Sequence, residues 1–427
     1  MKRIAWPLPP LTLLVPGGLV LAAAFGLSLE NFGWRPEWPA TSVLAHEHLS
    51  IAGPVAAAAA FHRWATLARP AGLLAAARLR GTEKPEHWVN FLRVWAVCAV
   101  AYTIGLLPIF IHTAISATYG GPAIGSIVLG YLGLGFAVAI GQFVAGIAPM
   151  PVLTVFVAVL VFLLFQLPQV VLRSFGAVLP VQWDTLAANE YETPASLIFR
   201  AFALLATAGA MVMASRLGRT PDQPGRTALP AFGAVGVLAA FLVAAAVNPP
   251  ARLEAVAAPP LLCQPRNGIE VCVHAAHEAD LPELADTVSA LAKAYGGKPA
   301  AVRGVYDAAA VPAGGLPNDY VVVGLILDQT TRDTAGEDVA AAMAGYFNCA
   351  RAIRSNTGDR VALEAGMARA NELARWLRHQ AGIVLPSAQP YEPPPSGLFA
   401  KSPEEIQAWL AANNTQVATC QNGRDPV

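Results

Sequence analysis

The sequence predicts a polytopic α-helical membrane protein of about seven transmembrane helices, followed by a small extracytoplasmic α+β domain. Three observations carry this reading. Only 13% of the 427 residues are charged, against roughly 25% in soluble globular proteins. Seven apolar runs approach the ~20 residues that cross a bilayer as a helix. After Pro249 those runs stop and charged residues return.

The runs are Leu11–Leu29, Thr41–Phe61, Val94–Ile115, Ile124–Val144, Val152–Leu172, Pro194–Ala214 and Leu229–Val247. They define a bundle over 1–250 and a second domain over 251–427. Lys2 and Arg3 ahead of the first run look like the start of a signal peptide. The run exceeds the 7–15 apolar residues of a signal core, and Glu30-Asn31-Phe32 follows instead of a small-residue cleavage site. It therefore reads as the first helix. The second run is the least regular, with His46, Glu47 and His48 near its start. In the sixth, Arg200 is expected to snorkel toward the outer surface.

Lys+Arg and Asp+Glu both number 28, so no basic surface points to nucleic acid as a partner. The signs are unevenly placed. Lys2, Arg3, a loop with Arg63, Arg69, Arg78, Arg80, Lys84 and Arg93, and a loop with Arg216, Arg219 and Arg226 fall on one side of a seven-span chain. Cytoplasmic loops are enriched in Lys and Arg. The N-terminus is then cytoplasmic and the C-terminal domain lies outside.

Cysteine placement argues the same way. Cys98 lies in the third run; Cys263, Cys272, Cys349 and Cys420 all follow Pro249. An even set confined to one domain fits an oxidising compartment. Asn267-Gly268 is a strong signal for a two-residue hairpin turn. Counting outward from it sets Cys263 opposite Cys272, about 4.5 Å apart at Cα if they form a non-hydrogen-bonded pair, within disulfide range. Cys349–Cys420 follows by elimination; the alternative is four reduced, buried thiols.

In the second domain Val271–Ala275, Ala300–Val305 and Tyr320–Leu327 read as strands. A helix starts at Asp280, with Glu283 three residues on, and ends near Tyr295. Further helices are expected over Asp333–Phe347, Arg360–Gln380 and Pro403–Ala412, the last capped by Ser402 and Glu405. Pro386–Pro395 is a proline-rich connector. His274 and His277 do not match a zinc-protease motif, and no metal, catalytic or cofactor set is assigned. A folded domain that binds or gates is the reading.

Within the spans, His46, Glu47, His48 and His112 form a candidate external vestibule, with Glu47 pairing with His112 or with a partner chain. His46 and His48 point about 200° apart on a helix and do not chelate one metal together. Gln142, Gln166 and Gln169 are candidates for interhelical hydrogen bonds. No phosphate-binding loop of the type G-x-x-x-x-G-K-[ST] occurs, so any ATP hydrolysis belongs to another subunit.

The loop HRWATLARPAGLLAAARLRGTEKPEHWVNFLR, residues 62–93, contains a short amphipathic stretch with Leu73 and Leu74 on one side and Arg78 and Arg80 on the other. A first helix, a second helix and then such a basic loop leading to a third resembles the membrane subunits of ABC-2-type exporters, over roughly residues 1–250. The seventh run and the external domain look like actinobacterial permeases of that kind and depart from the usual six helices. The resemblance implies a permease in a bacterial cell membrane. It implies a homodimer or a related permease subunit, and a cytoplasmic ATPase that binds ATP and Mg. It makes Arg69, Leu73, Leu74, Arg78, Arg80 and Glu86 the element touching that ATPase. The competing class is a membrane-anchored receptor, sensor or assembly factor whose external domain binds a partner.

Overall fold

The computed structural model describes residues 11–33, 35–67, 86–171, 179–181, 186–215, 249–325, 331–355, 359–383 and 397–420. The chain is mostly helical and divides into two compact units. The first comprises 1–32, 36–186 and 191–254; the second comprises 33–35, 187–190 and 255–427.

The first unit contains α1 (Leu11–Glu30), α2 (Trp38–Glu47), α3 (Leu49–Leu67), α4 (Glu86–Ser116), α5 (Ile124–Ile147), α6 (Thr154–Val171) and α7 (Pro194–Ala214). Among the described residues, four helical stretches are long and apolar enough to cross a membrane: Leu14–Gly33, His87–Ser116, Ile124–Ile147 and Pro194–Ala214. Pro151–Leu167 is a shorter apolar helix. Large apolar side chains face outward, among them Val155 at 74% and Phe156 at 63% exposure. A soluble protein rarely shows so much contiguous apolar surface; lipid is the solvent that suits it. The run expected over 229–247 lies outside the described residues.

The second expected span is not one unbroken helix. It divides at His48 into α2 and α3. The Tyr102 hydroxyl donates to the Ala45 carbonyl at 2.9 Å, an oxygen that an unbroken helix would use for its own ladder. Pro54, inside α3, offers no N–H to the carbonyl four residues back.

Contact order shows how the helices run. Gly130, Gly133 and Gly141 of α5 meet Ala45, Leu49 and Ala57, and Gly125 and Gly146 meet Leu197 and Ser215. Positions rise together, so α2–α3, α5 and α7 are parallel. Gly17 and Gly105 place α1 parallel to α4. Thr41 bonds Thr113 while Arg63 bonds Asn90, so α4 opposes α2–α3. Gly53 meets Phe165 while His62 bonds Thr154, so α6 opposes α3. Taking α2–α3 as one, successive helices therefore alternate in direction. The glycines permit this closeness: a Cβ on Gly130 or Gly141 would collide with the Ala45 or Ala57 carbonyl.

β1 (Glu190–Glu192) pairs with β2 (Leu253–Ala255). The second unit is built on a four-stranded sheet in the order β3-β4-β5-β6. Its strands are β3 (Leu261–Arg266), β4 (Ile269–His274), β5 (Gly304–Asp307) and β6 (Tyr320–Val323). β3 and β4 form the hairpin, with Cys263 opposite Cys272 and Arg266 opposite Ile269. Asn267 and Gly268 both have positive φ, 49° and 77°, the signature of a type I′ turn. β5 and β6 add in parallel. The helices are α8 (Leu281–Tyr295), α9 (Thr331–Met343), α10 (Tyr346–Arg354), α11 (Arg360–Gln380) and α12 (Pro403–Ala418). Their apolar faces bury Val271, Leu284, Val305, Trp376 and Leu410 in one core.

Two disulfides staple this unit: Cys263–Cys272, with Cα atoms 4.1 Å apart, and Cys349–Cys420, at 5.0 Å. Cys98 is a buried thiol in α4.

Three local expectations need correction. Asp280 precedes α8 without capping it; its carboxylate is taken by Arg35, also of this unit, in a paired contact with one N–O distance of 2.9 Å. The helix expected over Asp333–Phe347 ends at Met343, and a separate α10 begins after Gly345 at φ 78°. A Cβ on Gly345 would strike the Val417 carbonyl. The capping box of Ser402 and Glu405 does form, but α12 continues beyond Ala412. Asn413 bonds back to the Trp409 carbonyl, and the Asn414 Oδ1 accepts from Ala300 N and from the Tyr295 hydroxyl at 3.0 Å.

Candidate functional site: two polar layers in the helical unit

The parallel trio α2–α3, α5 and α7 carries polar side chains at both of its ends. At the first end the centre is Glu192, just ahead of α7. Thr193 caps that helix with its hydroxyl on Ser196 N and is held extended by Pro194. Eight residues from Glu192, Arg200 lies on the α7 face that looks back at it. Its Nη1 donates to Glu192 Oε1 at 2.8 Å. Nη2 donates to the carbonyls of Leu179 and Pro180 at 3.3 and 3.4 Å. The Ser126 hydroxyl of α5 donates to Glu192 Oε2. His46 Nε2 of α2 lies 3.5 Å from that same oxygen. Arg200 and His46 are both fully buried.

Glu192 stands outside the apolar helices, and its acidity follows from these neighbours. Burial alone pushes the carboxyl up. The proximity and charge of His46, the charge of Arg200 and the Ser126 hydroxyl outweigh burial and hold it down at about 2.

At the other end, the Arg63 Nε of α3 donates to the Asn90 side chain at 2.8 Å. Gln142 of α5 reaches the His87 carbonyl and the Ser215 hydroxyl, each at 3.4 Å. Ser215 closes α7 and donates to the Val212 carbonyl. From His46 to Arg63, Ser126 to Gln142 and Arg200 to Ser215 the layers are roughly 22–26 Å apart at helical rise. A bilayer's hydrocarbon is about 30 Å thick. Between the layers the trio is packed by apolar side chains such as Leu49, Leu134 and Leu204 and by close glycine–backbone contacts.

The residues expected to form one vestibule separate into two groups. His46 joins Glu192. His48 turns away to Asn31 at 3.3 Å, and the ring of His112 packs on Phe32 at 5.1 Å. Glu47 is half-buried, and no ion pair joins it to His112 among the described residues. The rotation between positions 46 and 48 sends them to different neighbours. Arg200 does not snorkel; it is buried and paired. Glu192 and Ser126 were not expected, because Glu192 is adjacent to a span and Ser126 is an ordinary helix residue.

No protein-family model, curated relative or solved structure matches this chain. What it does is therefore argued from these residues.

Of the loop residues, Arg69, Leu73, Leu74, Arg78 and Arg80 lie outside the described residues, and Glu86 begins α4. Gln142 makes the interhelical bond expected of it.

In the second unit, His274 and His277 are both occupied. His277 Nδ1 bonds Asp307, whose carboxylate also accepts from the backbone N–H groups of His274 and Ala309. His274 Nδ1 accepts from Ala276 N at 3.1 Å. All three residues are buried, and the arrangement ties the end of β4 to the end of β5. Glu270 lies within reach of Cys263 and Cys272, but both sulfurs are spent in the disulfide. A cleft of about 260 Å³ opens between β6 and α10.

Proposed function

We propose that this chain is the permease subunit of an ATP-driven exporter in a bacterial cell membrane, working with a separate cytoplasmic ATPase. The observation that carries the reading is the pair of polar layers on one parallel helix trio. A passive anchor gains nothing from burying an arginine and a glutamate together, since desolvation offsets much of their attraction. Ionisable residues inside membrane bundles mark pathways and moving parts. A bundle polar at each end and closed in the middle suits alternating opening of its two mouths.

In this reading the N-terminus is cytoplasmic, the 62–93 loop touches the ATPase through Arg69, Leu73, Leu74, Arg78, Arg80 and Glu86, and the second unit is extracytoplasmic. The two disulfides support an oxidising compartment for that unit. The protein functions as a homodimer or with a related permease, and ATP and Mg are bound by the partner.

The test is co-purification of the detergent-solubilised protein from its own membranes, followed by ATPase assay. The wild type is expected to retain an ATPase that Arg78→Glu with Arg80→Glu releases. Absence of any ATPase from the wild type, or full retention by the double variant, would overturn the proposal.

A second reading, a membrane-anchored receptor or assembly factor, is favoured by the cleft beside β6, which has the lining of a binding groove.

A further inference from the structure

The cleft in the second unit lies along the last strand of its sheet. β6 pairs with β5 on one side and, among the described residues, stands at the edge of the strand order. Val321 and Val323 face the core, at 5% and 0% exposure, whereas Val322 faces out at 47%. Tyr320, Val321 and Val322 of this strand form one wall of the cleft, with Ala301 and Asn318 beside them. α10 forms the other wall with Phe347, Asn348, Arg351 and Arg354. The positions 347, 351 and 354, and likewise 348 and 351, are three or four apart and share one helix face.

The chemistry of the two walls differs. Arg351 and Arg354 are exposed, and neither meets a carboxylate among the described residues. The Arg354 Nε reaches only the Ala350 carbonyl of its own helix, at 3.4 Å. Asn348 donates its amide to the Ala418 carbonyl at 2.7 Å, which leaves its own oxygen as an acceptor. Phe347 adds exposed apolar surface at 40%. A strand edge offers backbone donors and acceptors to another extended chain. A groove between an edge strand and a helix is the geometry in which peptides bind by joining a sheet.

We propose that this groove binds an extended acidic peptide of a partner protein, which adds to β6 as a fifth strand and sets a carboxylate between Arg351 and Arg354. The backbone ladder supplies attraction to any extended chain; the arginine pair selects the acidic one, because a guanidinium binds a carboxylate with two parallel hydrogen bonds. The proposal is independent of whether the helical unit transports anything.

The full chain in detergent is titrated into three labelled six-residue probes, followed by fluorescence anisotropy. One alternates valine and threonine around a central aspartate. The second has lysine in place of the aspartate. The third is the aspartate probe with its alternate backbone nitrogens methylated. Saturable binding of the aspartate probe is expected, with the lysine and methylated probes at least ten-fold weaker. Arg351→Glu with Arg354→Glu is expected to invert the preference toward lysine, a result that misfolding does not produce. Formation of Cys349–Cys420 in that variant checks the fold. Equal binding of the acidic and basic probes, no saturation of the aspartate probe below millimolar concentration, or an unchanged preference in the double variant would overturn the proposal. So would a concentration-dependent dimer that the aspartate probe dissolves, since a second copy would then be the occupant.

Discussion

Glu192 and Arg200 are joined by a 2.8 Å ion pair in which each side chain is only 1% exposed. The pair links the residue ahead of α7 to the second turn of that helix, and Ser126 and His46 bring α5 and α2 to the same carboxylate. Four segments thus share one charge, which makes it the most consequential place to perturb the bundle.

Glu192→Gln keeps the shape but leaves Arg200 charged and buried without its counter-ion. Losing one member of a buried pair costs about 3–5 kcal/mol. Thermal unfolding in detergent should show that loss. Arg200→Met with Glu192→Gln should recover much of it, because the double variant buries no charge.

The same pair makes stability depend on pH in a defined direction. Glu192 is depressed to about 2 in the folded protein, below the ~4.3 of an unperturbed glutamate. The unfolded state therefore binds its proton first, and the stabilisation is complete above about 4.3 and lost as pH falls toward 2. Melting temperature in detergent should fall through that window in the wild type. In Glu192→Gln this contribution to the slope should be absent.

Gly141→Ala tests the close contact of α5 with α3 beside the second polar layer. The added methyl would collide with the Ala57 carbonyl, and forcing α5 from α3 should cost about 1–3 kcal/mol. Gly209→Ala on α7, where no atom of the described residues lies within 4 Å of the added carbon, is the control expected to fold normally.

The two disulfides should differ in weight. Cys349–Cys420 closes a separation of 71 residues, Cys263–Cys272 one of 9. On chain entropy alone the long loop contributes roughly 4 kcal/mol and the short one roughly 3. Cys349→Ser with Cys420→Ser should lower the melting of the second unit more than Cys263→Ser with Cys272→Ser does.

Asp338 offers a test of opposite sign. Burial first, and then the neighbouring charge of Glu337, raise its carboxyl above the ordinary aspartate range. A raised acid favours the folded state below its unfolded pKa and loses that advantage as pH rises through the folded value. Asp338→Asn should therefore stabilise the second unit at neutral pH, and the gain should vanish in acid. Urea titrations at pH 7 and pH 3.5 measure the difference.

What the sequence disclosed was local. Asn267-Gly268 fixed the register that puts Cys263 opposite Cys272, because a two-residue turn leaves no freedom in the count. Ser402, Pro403 and Glu405 announced the start of α12 through contacts within one turn. The polar layers were hidden because each is assembled from distant segments. Nothing near Glu192 in the chain signals Ser126 or His46, and nothing near His277 signals Asp307. The split at Gly345 depends on a carbonyl of α12, some seventy residues on. Of the expected vestibule residues, His46 meets Glu192, a partner the sequence did not suggest, since which face of α2 looks inward is decided by α5 and α7.

The separation of the two polar layers also sets a preference for membrane thickness. Helices tilt or the bilayer deforms when hydrophobic lengths disagree, at a modest cost per ångström. Here the lengths are pinned from both sides, by Arg200 and Glu192 at one level and by Arg63 and Gln142 at the other. Long-chain lipids would drag those levels into hydrocarbon, whereas short-chain lipids would bring them to the headgroups. Acyl-chain length should therefore shift the stability of the helical unit, with both polar levels most easily hydrated in the thinner membrane.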